Sequence, residues 1–97
     1  MSTEREELRM AAKAAGHWSD EFNCPDKLPH LGWNPLTNDG DALRLAVNLC
    51  LLVNVGEFFS YATNGAHDGE EIHNGDPYAA TRRAIVLAAA EVGRAMP

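Results

Sequence analysis

The residue types that most often hold metal ions gather in one short segment of the chain: His67, Asp68, Glu70, Glu71 and His73. On a strand or a loop the two histidines could converge on one ion. Zinc sites are usually marked by Cys-x-x-Cys pairs or by two histidines four positions apart on a helix, and this segment has neither pattern. We therefore interpret it as a solvated loop and predict no metal and no cofactor.

Other catalytic patterns are also missing from the sequence. It contains no Gly-x-Ser-x-Gly motif and no glycine-rich phosphate loop followed by Lys-Ser or Lys-Thr. The run from Asn38 to Asp41 begins like a calcium-binding loop, but the glutamate that would close such a loop is absent. We interpret this run as helix capping, and we predict that the chain is not an enzyme.

Arg82 conflicts with its surroundings in the predicted third helix, because the helical period places it inside the apolar stripe. A guanidinium in that position must reach solvent, pair with an acid or bind a ligand. The sequence leaves two alternatives open. Arg82 forms a structural pair with Asp39, Asp41 or Asp76, or it binds an anion.

Arginines and aromatic residues are the candidates for ligand binding. The set is Trp33, Arg44, Tyr78, Arg82 and Arg83. Arg83 lies further round the helix than Arg82 and is interpreted as solvated. Trp18 and Trp33 are interpreted as core or loop anchors, with stacking on a base as the alternative.

Length and composition indicate one small globular domain spanning residues 1–97 with 45% hydrophobic residues. The formal net charge of −6 disfavours direct binding to a nucleic-acid backbone, because the long-range field repels phosphates. No apolar run is long enough for a membrane helix, and the first residues do not resemble a secretory signal. Cys24 and Cys50 are interpreted as free thiols, so we predict a cytoplasmic protein.

Capping signals predict three helices. The first has a Thr3–Glu6 capping box and ends at Gly16, and the second begins near Thr37 or Asn38. The third begins at Asp76 or Pro77 and runs nearly to the C-terminus. Between the last two helices, residues 51–61 are interpreted as one strand with its apolar residues on one face. Residues 64–65 (Asn-Gly) predict a hairpin turn of type I′, and residues 70–73 a short strand at most.

The faces of the last two helices predict how they pack. On the second helix, Asp41, Arg44 and Asn48 form the one polar stripe, so the rest of that helix is expected to be covered. The predicted core stripe of the third helix consists of Tyr78, Thr81, Ile85, Ala88, Ala89, Val92 and Met96. Leu87 lies outside that stripe and is expected to be exposed. This surplus of apolar surface predicts a homo-oligomer.

The order of these elements predicts an α+β fold, with helices packed on a small antiparallel sheet in an α/β/α-type sandwich. Two segments carry a resemblance to a known family. They are Trp33-Asn-Pro-Leu-Thr-Asn-Asp-Gly-Asp-Ala-Leu-Arg-Leu-Ala-Val47 and Asp76-Pro-Tyr-Ala-Ala-Thr-Arg-Arg-Ala-Ile85. With the alanine-rich tail they resemble the phage ABA sandwich domain, a family of small phage and prophage proteins, over about two thirds of the chain.

The resemblance implies a phage or prophage accessory protein in an infected or lysogenic bacterial host. Phage proteins that sequester the nucleotide signals of bacterial immunity resemble this fold distantly, so the first hypothesis is a counter-defence protein that binds a small anionic cyclic nucleotide. The alternative is an anti-CRISPR-type inhibitor that docks on a host defence protein and mimics nucleic acid with its acidic surface. A third possibility is an accessory protein with a purely structural contact.

Overall fold

The computed structural model describes residues 4–16, 18–19, 24–25 and 33–97. Small helical residues near the C-terminus of the chain lie at the centre of its core. The elements in these residues are α1 (Glu4–Ala14), β1 (Trp18–Ser19), β2 (Cys24–Pro25), α2 (Asp39–Asn48), β3 (Leu52–Val55), β4 (Phe59–Thr63), β5 (Asp68–Ile72) and α3 (Pro77–Ala95). Strands β1 and β2 pair with each other, and β3, β4 and β5 form an antiparallel sheet in that order. The predicted α+β class is confirmed.

Helix α3 is the central element, packed against β4 and β5 as well as against α1 and α2. Close approach is possible because small residues stand at the crossing points. A Cβ atom added to Gly69 of β5 would lie 2.2 Å from the carbonyl oxygen of Ala84 in α3. One added to Gly93 of α3 would lie 2.0 Å from the carbonyl oxygen of Met10 in α1. The alanine-rich sequence of α3 therefore brings neighbouring backbones close on two sides.

The register of the sheet assigns its two faces. Ser60 and Ala62 of β4 are fully buried and face α3, whereas Tyr61 between them points to the opposite face. No described helix covers the opposite face, because Leu52, Phe59 and Ile72 are exposed there, and α1 and α2 contact α3. The third layer of the predicted α/β/α arrangement is thus not found among the described residues. The outer sheet face carries exposed apolar side chains, including Phe59 and Ile72.

The predicted helix ends are largely confirmed. The Asn38 side chain accepts a hydrogen bond from the Asp41 backbone N–H at 2.9 Å and caps α2. The Asp76 side chain accepts one from the Ala79 N–H at 3.0 Å and caps α3, with Pro77 in the first turn. Gly16 follows α1 with a φ of +77°, as expected for a left-handed C-terminal residue. Thr3, the other half of the predicted capping box, lies outside the described residues.

The Asp76→Ala variant is expected to unfold at lower denaturant concentration, with a loss of about 0.5–2 kcal/mol in the free energy of unfolding. The substitution removes the acceptor for the Ala79 N–H at the start of the longest helix. Urea denaturation followed by circular dichroism measures the loss. Asp76→Asn, which keeps a side-chain acceptor, is the control and should retain most of the stability. Equal losses in both variants would contradict a capping role.

The prediction of one strand over residues 51–61 is wrong, because the chain reverses direction within it. The Gly56 N–H donates to the Phe59 carbonyl at 2.9 Å, which closes a hairpin between β3 and β4. The reversal places Val53 on the α3 face and Phe59 on the outer face. The run contains no Asn-Gly or Pro-Gly pair that would have marked this turn. At the second hairpin the predicted turn is displaced by one residue. The Asn64 N–H donates to the His67 carbonyl at 3.2 Å, so the two loop residues are Gly65 and Ala66, and type I′ is excluded because Gly65 has a positive φ and Ala66 does not.

The predicted faces of α2 and α3 also need correction. Asp41, assigned to a solvated stripe, is fully buried, whereas Leu43 and Val47 are 64% and 68% exposed. In α3, Tyr78 at the start of the predicted core stripe is 71% exposed. Periodicity identifies which residues share a face, but here the neighbouring elements cover a different part of each helix. Met96, at the end of the predicted α3 stripe, is also exposed, and Leu87, expected to be exposed, is half-buried with its Cβ atom near Gly69.

Candidate functional site

A cleft of about 550 Å³ opens between α2, α3 and β3. Most of its wall is apolar. The lining residues are Asp39, Ala42, Leu43, Ala46, Val53, Val55, Pro77, Tyr78, Thr81, Arg82 and Ile85. A concave apolar surface of this size with a few polar groups is typical of sites that bind small ligands. We take it as the candidate functional site.

The polar groups of the cleft come from the first two turns of two capped helices. Asp39 is the first residue of α2, directly after the Asn38 cap, and Tyr78 is the second residue of α3, directly after Pro77. Arg82 follows Tyr78 by one helical turn, so both side chains lie on the same side of α3. The local capping signals in the sequence therefore determine where the polar part of the cleft lies.

Arg82 is held by two contacts within the fold. Its Nε–H donates to the Leu36 carbonyl at 2.8 Å, and its Nη1 lies 2.6 Å from Oδ1 of Asp39. The Arg82 side chain is 18% exposed and the Asp39 side chain 71% exposed. Of the three acids that the sequence offered as partners, the structure selects Asp39. A guanidinium has five N–H donors, so three remain for further acceptors.

Arg83 does not lie at the cleft and is not solvated as predicted. It lies among three carboxylates from two other elements: its Nη2 is 3.1 Å from Oε1 of Glu7, Nη1 is 3.6 Å from Glu4, and Nε is 3.6 Å from Glu71. Glu7 is almost completely buried. Its Oε1 atom has no partner with hydrogen-bond geometry among the described residues, so its contact with Arg83 is an ion pair. Arg83 therefore links α3 to α1 and β5 through ion pairs.

Arg44 and Trp33 belong to the segment that leads into α2. The buried carboxylate of Asp41 accepts from the Asn34 backbone N–H at 3.0 Å and from Nη2 of Arg44 at 2.9 Å. Trp33 is half-buried against the core. Arg44 and Trp33 thus help to position α2, and neither lines the cleft. Among the five candidates, the structure brings Tyr78 and Arg82 together in the cleft.

Sequence reasoning missed a polar network between the sheet and α3. Oγ of Ser60 lies 2.9 Å from Nε2 of His73 and 2.9 Å from Oγ1 of Thr81, and Thr81 donates to the Pro77 carbonyl at 2.7 Å. Ser60 is fully buried, so its hydroxyl is out of reach of a substrate in this arrangement. The network satisfies buried polar groups next to the cleft. These residues are far apart in the sequence and form no known motif.

The acidic and histidine residues around residue 70 go to separate partners. The Glu71 carboxylate forms an ion pair with Arg83, and His73 shares a hydrogen bond with Ser60. The Asp68 carboxylate accepts a hydrogen bond from Thr63 Oγ1. Within the described ranges, no group of three or more metal-ligating side chains comes together.

The described residues contain no helix long and apolar enough to cross a membrane. Cys50 is a free, exposed thiol, while the side chains of Cys24 and Trp18 lie outside the described residues.

Comparisons with protein-family models, with curated proteins and with solved structures gave no match for this chain. The resemblance to the phage ABA sandwich domain therefore stays a prediction.

Proposed function

We propose that this protein acts by binding, and that the cleft between α2, α3 and β3 captures a small ligand with a flat ring and one anionic group. The observation that carries the proposal is that Tyr78 and Arg82 line the same, otherwise mainly apolar, cleft. An exposed aromatic ring offers a stacking surface for a base, and a guanidinium offers paired donors for a phosphate. A nucleotide is the ligand class that combines both groups.

Charge limits what one cleft can hold. Among the described residues that line the cleft, Arg82 is the one cation, and Asp39 already offsets its charge at 2.6 Å. The remaining donors of Arg82 therefore match one phosphate group, so the cleft holds one nucleotide unit of a ligand, and any further phosphates of a cyclic nucleotide lie outside it. The apolar wall formed by Leu43, Val53 and Val55 suits the face of a base or another flat apolar group.

The phage resemblance indicates which ligands to test first, namely the cyclic di- and trinucleotides that act as immune signals in bacteria. In this proposal the protein is made inside an infected or lysogenic host and lowers the free concentration of the signal by binding it. No covalent chemistry is needed, because sequestration by itself interrupts signalling.

The Tyr78→Ala variant is expected to fold like the wild type and to bind the ligand about tenfold or more weakly. Tyr78 is 71% exposed, so its removal costs little packing, whereas loss of base stacking costs about 1–3 kcal/mol of binding free energy. Calorimetric titration with a panel of cyclic nucleotides and thermal unfolding measure the two effects separately.

Arg82→Met is the second variant in this test and Arg94→Met the matched control. Arg94 lies on the same helix, pairs with Glu91 and does not line the cleft. We expect Arg82→Met to lower both stability and affinity, and Arg94→Met to leave affinity unchanged. If wild-type protein binds no nucleotide of the panel at about 1 mM, the proposal fails.

A protein partner is the second candidate, and the outer face of the sheet favours it. Leu52, Phe59 and Ile72 lie on this face and Phe58 lies in the adjacent turn, all of them exposed. Exposed apolar side chains grouped in this way are typical of protein-binding surfaces. In this proposal the chain inhibits a host defence protein. The acidic residues support mimicry of nucleic acid less well, because Glu4, Glu7 and Glu71 surround Arg83 instead of forming a row.

Phage plating separates the two candidates. A signal-binding protein restores plating on hosts that defend themselves through cyclic nucleotides, and Tyr78→Ala abolishes the effect. An inhibitor of a Cas effector restores plating on hosts that carry that effector, and Phe59→Ser abolishes the effect while Tyr78→Ala does not.

A further inference from the structure

Strand β3 is an edge strand of the sheet, since in the described part of the chain its one strand neighbour is β4. Its residues are Leu52, Val53, Asn54 and Val55, with no charge and no proline. Edge strands of this kind pair readily with another chain unless charges or bulges protect them. The opposite edge strand, β5, carries Asp68, Glu70 and Glu71 and is protected in this way.

The register of β3 with β4 shows which backbone groups remain available at the free edge. The Gly56 N–H donates to the Phe59 carbonyl, so residues 52, 54 and 56 direct their backbone groups toward β4. By the same alternation Val53 and Val55 direct their N–H and C=O groups away from β4. The next residue in that series, Leu51, already donates its N–H to the Ala46 carbonyl at 2.9 Å.

We propose that two copies of this chain pair through β3 in antiparallel fashion and form one six-stranded sheet. The available groups fix the register. Val53 lies opposite Val55 of the partner subunit, and Val55 lies opposite Val53 of the partner subunit. The two pairs make four hydrogen bonds, and Asn54 lies opposite Asn54 of the partner subunit at the twofold axis. A shift by two residues in one direction would pair Val55 with Leu51 of the partner subunit, whose N–H is already bonded to Ala46. A shift in the other direction would pair Val53 with Glu57 of the partner subunit, which lies outside the strand. Both registers make fewer hydrogen bonds.

The pairing extends the candidate site. A twofold axis perpendicular to the sheet places the α3 helices of both subunits on the same face. Because Val53 and Val55 line the cleft, the same two valines of the partner subunit extend its floor about 4.8 Å further. The pairing places both clefts next to the same strand pair. This consequence rests on the proposed function, whereas the pairing itself rests only on the geometry of β3.

Sedimentation of the wild type at about 100 µM is expected to give a species of twice the 10.5 kDa chain mass. A cross-linking test then reports the register. In a background with Cys24→Ser and Cys50→Ser, we introduce Asn54→Cys. The two introduced thiols face each other across a non-hydrogen-bonded pair, where Cα atoms lie about 4.5 Å apart, a distance that permits a disulfide. Mild oxidation should therefore convert most of the protein into a covalent dimer that reductant reverses.

Ile72→Cys in the same background is the matched control, because Ile72 is exposed on the same outer face but on the opposite edge strand. It should stay monomeric on a non-reducing gel. Equal cross-linking at both positions, or none at position 54, would overturn the proposal.

Val53→Pro tests the hydrogen bonds directly, because proline removes an N–H that points to the free edge and leaves the bonds to β4 intact. The dimer dissociation constant should rise about tenfold or more, with the circular dichroism spectrum unchanged. If this variant does not fold, the cross-linking result decides. Wild-type protein that sediments as a single chain at 100 µM would also sink the proposal, whether or not nucleotides bind.

Discussion

Replacing Gly69 by alanine is expected to destabilise this protein by about 3 kcal/mol, although alanine is no worse than glycine in a strand. The added Cβ would lie 2.2 Å from the Ala84 carbonyl oxygen, 2.5 Å from the Ala88 nitrogen and 2.7 Å from Cβ of Leu87. Two of these atoms belong to the backbone of α3 and cannot move by rotating a side chain. The helix must shift away from the sheet, which opens the core around Ala62. Urea denaturation measures the change in unfolding free energy.

Gly40→Ala is the matched control for this prediction. Gly40 lies in the first turn of α2, and a Cβ there would meet the ends of the Arg44 and Asn38 side chains at 3.2 Å. These side chains need to shift by only a few tenths of an ångström, which preserves the Asn38 cap and the Arg44–Asp41 bond, and alanine favours a helix over glycine by about 1 kcal/mol. We expect Gly40→Ala to be neutral or slightly stabilising. If Gly69→Ala proved equally neutral, the close packing of β5 against α3 would be wrong.

Arg83→Met is expected to cost at least about 2 kcal/mol, because it leaves the buried Glu7 carboxylate without its cation. Removing one partner of a fully buried ion pair typically costs about 3–5 kcal/mol, and the figure here is lower because Arg83 keeps some contact with water. The Glu4 and Glu71 carboxylates near Arg83 would then repel Glu7 as well. The measurement is the midpoint of urea unfolding at neutral pH.

The double variant Glu7→Leu with Arg83→Met tests whether the instability of Arg83→Met comes from the unpaired charge of Glu7. Removing both charges leaves an apolar contact between α1 and α3, so the double variant should be more stable than Arg83→Met by itself. The exposed pair of Arg94 and Glu91 provides the comparison, since Arg94→Met should change stability by less than about 1 kcal/mol. A double variant as unstable as the single one would show that Arg83 contributes through packing instead of charge.

Local signals in the sequence predicted the helices well. The Asn38 and Asp76 caps, the left-handed Gly16 and the extent of α3 depend on residues within one turn of each other, and all agree with the structure. The turn at residues 56–58 was missed because its flanking residues continue an apolar pattern. Periodicity does not distinguish one long strand from the two strands of a hairpin, and a single glycine such as Gly56 is compatible with a bulge as well as with a turn.

The candidate site could be predicted only in part. Arg82 stood out because a charged residue interrupts an apolar pattern, and Asp39 was one of three possible partners. The sequence names Tyr78 both as a ligand-binding candidate and as a member of the core stripe of α3, and the structure exposes it at the cleft. The sequence predicts a solvated Arg83, because the buried carboxylate that faces it, Glu7, lies in a helix 76 positions earlier in the chain.

The class of fold and the ends of the helices are predictable from the sequence, because they follow from composition and from contacts between near neighbours in the chain. Tertiary packing decided which face of each helix is covered. Asp41 is buried and Leu43 exposed because the segment 33–38 folds over one side of α2, and a cleft forms on the other. Helical periodicity defines faces but does not say which neighbour covers them, and that choice depends on the length and direction of the connecting segments.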